Sequence, residues 1–159
     1  PKSDIQVIEA YRGGVTIDYG LEQIDEVLSA KPDLIIASFG VNDAAPRVGK
    51  RSPQQFGEAM ATLLDKSKTA GSDTLWVVPF PLSPWMNIPQ AAVLDDKLIP
   101  VMHHTAATHC AALADVHTAF RNLDSRGIPW WSQHHNWHNH PGNLGHLVYA
   151  ETLLLCFPK

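Results

Sequence analysis

The chain has 159 residues, 45% of them hydrophobic, which is the size of one domain with enough apolar material for a single core. A formal charge of -4 comes with only 12 Lys and Arg residues, and these are scattered, so neither nucleic acid nor a membrane surface is expected as a partner. No apolar run approaches the roughly 20 residues that a membrane-spanning helix needs.

Taken in chain order, the first apolar run is "DIQVIEAY", Asp4 to Tyr11, whose β-branched and aromatic residues predict a strand. Leu21, Ile24, Val27 and Leu28 then recur at helical spacing, and Lys31-Pro32 stops that helix ahead of a second strand, "DLIIASFG", Asp33 to Gly40. The next helix is well marked. Ser52, Pro53 and Gln55 supply an N-cap, a first-position proline and a capping-box partner, Gly71 closes it, and Phe56, Met60, Leu63 and Leu64 form its buried stripe. A third strand is predicted at "TLWVVPFP", Thr74 to Pro81, followed by a helix over Ala91 to Ala107 that Pro100 should kink or split. A weaker fourth strand is "AALADV", Ala111 to Val116, and an amphipathic helix over Gly145 to Leu155 should pack on the sheet.

Strands alternating with helices at these lengths imply a parallel sheet covered on both faces, a three-layer α/β/α sandwich, with residues 1–159 forming a single domain. Ligands in such sheets bind beyond the carboxyl ends of the strands. Those ends are Tyr11 to Thr16, Gly40 to Ala45, Phe80 to Asn87 and the loop after Val116. Cys110 and Cys156 stand in no metal or redox spacing and in apolar surroundings, which predicts buried free thiols and leaves a single disulfide open.

"FGVND", Phe39 to Asp43, reads on its own as a turn in which Asn42 and Asp43 satisfy their backbone neighbours. A second unusual cluster, "HNHPGNLGHLVYAETLL", leads into the terminal helix and changes that reading. Gly40-Val41-Asn42-Asp43, His140-Pro141 with Gly145-His146, and Gly14 with Thr16 in "RGGVT" together resemble the SGNH hydrolases, also called the GDSL esterase/lipase family, from about Asp4 to Leu155. The resemblance implies the flavodoxin-like arrangement of that fold and a serine esterase that acts through an acyl-enzyme. It implies Asn42 and Gly14 as oxyanion donors, with Gly13 competing for the latter place, Asp43 as a structural residue of the loop, and His140 as general base. Pro141 would hold the backbone at His140 extended. No cofactor is implied, and the substrate would be a small acyl ester or an acylated carbohydrate.

Two elements of that family pattern are missing. No G-D-S motif occurs; Ser3-Asp4 and Ser72 fall at the wrong end of the sheet. In the family the strand carrying that serine lies mid-sheet, and its absence would leave buried backbone groups unpaired, each costing on the order of 1 to 3 kcal/mol. The chain, which begins at Pro1, is therefore expected to be the larger part of a longer polypeptide whose first strand precedes it, or to receive that strand as an N-terminal peptide completing the sheet. The triad acid is the second departure. Trp137 stands where an aspartate is expected, and Asn136 is one residue further back; an asparagine can orient an imidazole but stabilises its charged form less. Asp115 is a possible substitute, with helix capping as its alternative role.

Other residues carry rival readings. His134, His135, His138 and His140 lie within seven residues, but they are loop-borne, lack a neighbouring Cys or carboxylate and follow no recognised ligand spacing, so a zinc site is not expected. His103, His104 and His109 read as surface or half-buried residues. Trp85, Trp130, Trp131 and Trp137 could face a sugar ring or pack beneath loops, and packing is the simpler expectation. The reading from a different class is a non-catalytic ligand-binding module on the same fold.

Overall fold

Leu75, Trp76, Val77 and Val78 are all buried, and alternate side chains enter different cores: Trp76 and Val78 one, Leu75 and Val77 the other. That is the behaviour of a strand covered on both faces, where side chains alternate with a period of two. The structure, a computed structural model, describes residues 4–83, 88–136 and 139–157. Among these, β1 (Leu34–Ala37), β2 (Asp73–Val78) and β3 (Ala112–Asp115) form a parallel sheet in the order β1-β2-β3. Leu34 is opposite Asp73, and Leu75 opposite Ala112.

One face carries α1 (Ile17–Ser29), α2 (Pro53–Thr69) and α4 (Ile99–Thr108) around Trp76, which meets Phe56 edge-on with ring centroids 6.4 Å apart. The other carries α5 (Val116–Ser125), the short α6 (Trp130–Gln133) and α7 (Asn143–Leu154), and Phe120 of α5 and Val148 of α7 close the second core. The fold is thus the expected three-layer α/β/α sandwich with a parallel sheet.

Helix α2 forms as its sequence dictates. Ser52 Oγ accepts from the Gln55 amide at 3.2 Å while Gln55 Oε1 accepts from the Ser52 amide at 2.9 Å, so two otherwise unpaired donors of the first turn are satisfied reciprocally. Phe56, Met60, Leu63 and Leu64 are all buried. The predicted Ala91–Ala107 helix is split. A short α3 (Pro89–Val93) widens into a π-helical turn over Leu94–Leu98, and α4 restarts with Pro100 in its first turn, where the missing amide hydrogen costs nothing.

Three expectations are corrected. Residues 4–11 form no strand and pair with nothing among the described residues, and Ile5, Val7 and Tyr11 are 83%, 77% and 79% exposed. A β-branched run reports propensity, whereas a strand also needs a partner, and β1 pairs only with β2. Helix α7 is not amphipathic: Gly145 and Val148 are buried, but Leu147 and Leu154 point to solvent. Both cysteines are exposed and free rather than buried, because Cys110 lies in the turn after α4 and Cys156 beyond the end of α7.

Candidate active site

The Gly40–Asp43 turn is built around a buried carboxylate. Asp43 Oδ2 accepts from the Gly40 amide at 3.0 Å and its Oδ1 from the Ile17 amide at 2.9 Å. The second bond crosses to the first residue of α1, so it clamps the turn after β1 against the loop that contains Gly14. Burial pushes the Asp43 carboxyl above the usual carboxylate range, and the two backbone amides partly offset that shift. Gly40 has φ 122°, and a side chain there would meet Met102 at 2.3 Å; Gly49 lies so close that a Cβ would stand 1.7 Å from the Asp43 carbonyl oxygen. Arg51 Nε donates to Asp18 Oδ1 at 2.7 Å, fastening the far end of the same loop to α1. Asp43 therefore has the structural place expected of it, with one partner distant in sequence.

This scaffold leaves two hydrogen-bond donors unengaged. The half-buried Asn42 side chain makes no hydrogen bond among the described residues, although its backbone carbonyl accepts from Ala45. Gly14, at φ 75°, sits in the left-handed region that favours glycine; it is exposed, a Cβ there would meet open space, and its amide has no partner among the described residues.

His140 sits on a separate hairpin. The His135 amide donates to the His140 carbonyl at 2.8 Å, the Gly142 amide to the Gln133 carbonyl at 2.8 Å, and His134 bridges Pro141 in antiparallel fashion. The turn is tied by Asn136, whose Oδ1 accepts from the amides of Asn139 at 3.0 Å and His140 at 3.1 Å. Asn136 thus holds backbone rather than the imidazole. The His140 ring is exposed and has no hydrogen-bond partner among the described residues, and Trp137 and His138 lie outside them.

The hairpin is anchored by a histidine that the sequence did not single out as structural. His134 is buried, stacked on Trp130 at 3.9 Å, and edge-on to Phe80 and Phe120 at 5.7 and 5.5 Å. Tyr149 of α7 accepts from the Phe80 amide at 3.2 Å, and its own ionisation is pushed up to about 12 by burial. Phe80 follows the carboxyl end of β2, and its neighbour Pro79 borders Gly40. The Asn42 turn and the His140 hairpin are therefore brought to the same edge of the sheet, about the Pro79-Phe80 pair. Tyr149 and Phe80 had a legible apolar pattern, but nothing local signals their bond.

The remaining candidates sort out as follows. Asp115 caps α5 through the Thr118 amide at 2.9 Å and approaches His103 Nε2 at 3.1 Å, so its described partners do not include His140. A second pair near that edge joins His117 Nε2 to Asp95 at 3.1 Å, with Arg121 on the other Asp95 oxygen at 2.7 Å. Burial works to raise the Asp95 carboxyl, but His117 and Arg121 together hold it below its ordinary value. His109 is bound to Asp65 at 2.7 Å, His104 is exposed, Trp131 is exposed, and Trp85 falls outside the described residues. Two surface cavities, of about 480 and 540 Å³, lie away from this edge: one between α1 and α2, the other at the amino ends of the strands.

A parallel α/β/α sandwich with polar turns at the carboxyl edge defines a fold class rather than an activity, and comparison with known proteins names the family. The family model of the GDSL-like lipase/acylhydrolases matches residues 2–148. The chain belongs to that family, which is one of ester hydrolases. No curated protein matches it in sequence. Among solved structures it is similar to an α/β hydrolase from the metagenome of Lake Arreo, Spain, with 22% identity and a TM-score of 0.75, covering 90% of this chain and 68% of the other. An acetylxylan esterase from Geobacillus stearothermophilus gives 18% identity and 0.72 over 90% and 68% of the two chains. A lipase/acylhydrolase from Enterococcus faecalis gives 21% and 0.72 over 90% and 69%.

Proposed function

We propose that this chain carries the oxyanion donors and the general base of a serine esterase that cleaves small acyl esters, with acetylated carbohydrate as the favoured substrate class. The observation that supports this most is the pair of donors unengaged among the described residues, the Asn42 amide and the Gly14 N–H, on two loops that Asp43 ties together through the Gly40 and Ile17 amides, at the edge that also receives the His140 hairpin. Preorganised donors of this kind stabilise a developing oxyanion by roughly 3 to 4 kcal/mol each in a dry site.

The nucleophilic serine is assigned to a strand that precedes Pro1 or is added as a peptide. Two features support such a strand: among the described residues the outer edge of β1 is unpaired, and Ile5, Val7, Ile8 and Tyr11 are exposed on a segment that no described strand pairs with. His140 would take the serine proton as the hydroxyl attacks the ester carbonyl, and return it to the departing alcohol. Water then repeats the sequence on the acyl-enzyme, with His140 again as base. His140 has no carboxylate partner among the described residues, so the reaction is written with a serine–histidine pair. The name of the Geobacillus neighbour favours acetylated xylan-type sugars among acyl esters.

The test is turnover of p-nitrophenyl acetate by two proteins: the 159-residue chain and the polypeptide extended by the residues encoded before Pro1. Hydrolysis is expected from the extended protein alone. Equal turnover by the shorter chain would place the nucleophile within it, and a well-folded extended protein that binds the ester without cleaving it would favour a binding module.

A further inference from the structure

The chain has two cysteines, 46 residues apart in sequence, and both line the 540 Å³ cavity at the amino edge of the sheet, beside Asp73 and His109. Both are exposed. Cys110 has φ 55° and occupies the residue after the α4 cap at His109. The chain places Gly71 and Gly127 at the corresponding position after α2 and α5, and of the four such helix ends only Lys31 and Cys110 put a side chain in the left-handed region. A thiol is therefore held at the cavity in a conformation that glycine would adopt without strain.

Cys156 lies past the end of α7, on an exposed turn at residues 155–157. Its sulfur is held only by weak contacts, 3.8 Å from the Leu113 carbonyl oxygen and 3.7 Å from that of Thr152. Leu113 is three residues beyond Cys110 along the same chain segment, so the second thiol lies beside β3, the strand that follows the Cys110 turn. Among the described residues no group of three His, Cys, Asp or Glu side chains could hold a metal, and His109 is bound to Asp65. Two exposed thiols without a third ligand among the described residues fit a disulfide better than a metal.

We propose that Cys110 and Cys156 form a reversible intramolecular disulfide that pins the end of α7 to the amino end of β3. The oxidant is a small-molecule disulfide such as oxidised glutathione. One cysteine thiolate attacks it, forming a protein–glutathione bond and expelling one glutathione thiolate. The second cysteine thiolate then attacks that bond at the protein sulfur, closing the Cys110–Cys156 link and expelling a second glutathione. The protein loses two electrons and two protons, and the oxidant gains them. Closing the link requires the two Cα atoms to come within roughly 4.4 to 6.8 Å, and the segment at Cys156, past the last turn of α7, is the part that would shift.

The site lies at the opposite end of the strands from the Asn42 turn and does not depend on the esterase reading. The reduced 159-residue chain, kept folded and treated with excess oxidised glutathione, is analysed by intact mass and thiol titration. The expected product has lost two hydrogens and both thiols, carries no glutathione, and unfolds at a temperature higher by about 5 °C or more, reversed by dithiothreitol. Cys110→Ser and Cys156→Ser should each stop at one glutathione adduct. Two adducts on the unmodified chain, or covalent dimers in place of the internal link, would overturn the proposal.

Discussion

Asp43 illustrates how much a single side chain organises here. Its two oxygens hold the amides of Gly40 and Ile17, and through them two loops that are far apart in sequence. Burial raises its pKa, so folding favours the protonated acid. That contribution is present below the unfolded value of about 3.9 and is lost as pH rises through the higher folded value. Asp43→Asn has no such titration. Relative to the unmodified protein, its urea midpoint should therefore improve as pH is raised from about 3 to 6, whatever the cost of the lost acceptor; a gap constant over that range would contradict the account. Asn42, Asp43 and His140 stand out in the sequence through the resemblance to the SGNH family, since Phe39–Asp43 alone reads as a turn and His140 is one of several loop histidines. Their through-space partners do not. Asn136 could be read as an acceptor for the imidazole, yet its oxygen is taken by the amides of Asn139 and His140, a choice that depends on how the turn closes.

At the level of elements, legibility followed locality. Every signal for α2 lies within its own residues, and cap, first-position proline and buried stripe all came out as the sequence predicts. The run Asp4–Tyr11 has an equally good local pattern, but pairing is a property of two segments, and no described strand reaches it. Helix α7 was misread because its leucines are counted alike by periodicity whether they face Phe120 or solvent. Beyond the buried Val148, α7 is seated by a polar contact inside an aromatic cluster, the Tyr149 hydroxyl on the Phe80 amide, with Phe120 6.1 Å from the Tyr149 ring. Tyr149→Phe keeps the ring and leaves that amide unpaired. It should cost about 1 to 2 kcal/mol in urea unfolding and leave helix content unchanged. A loss below about 0.3 kcal/mol would mean that the amide finds another partner.

For the molecule as a whole, the proposed esterase requires the Asn42 amide, the Gly14 N–H and the His140 imidazole, carried on three separate loops, to meet at the carboxyl edge of one parallel sheet. None of these is catalytic alone; the account rests on all three addressing one carbonyl carbon. The edge of β1 that no described strand pairs with and the exposed Ile5, Val7, Ile8 and Tyr11 bear on the same proposal, in which a strand between them would complete the sheet and carry the serine. The most direct measurement is kcat/KM for p-nitrophenyl acetate in the polypeptide extended before Pro1, with Asn42→Ala, His140→Ala and the double variant. Cooperation at one site predicts a loss of about 10²-fold or more for each single variant and a double variant little worse than His140→Ala. Turnover by His140→Ala at the unmodified rate would contradict the account.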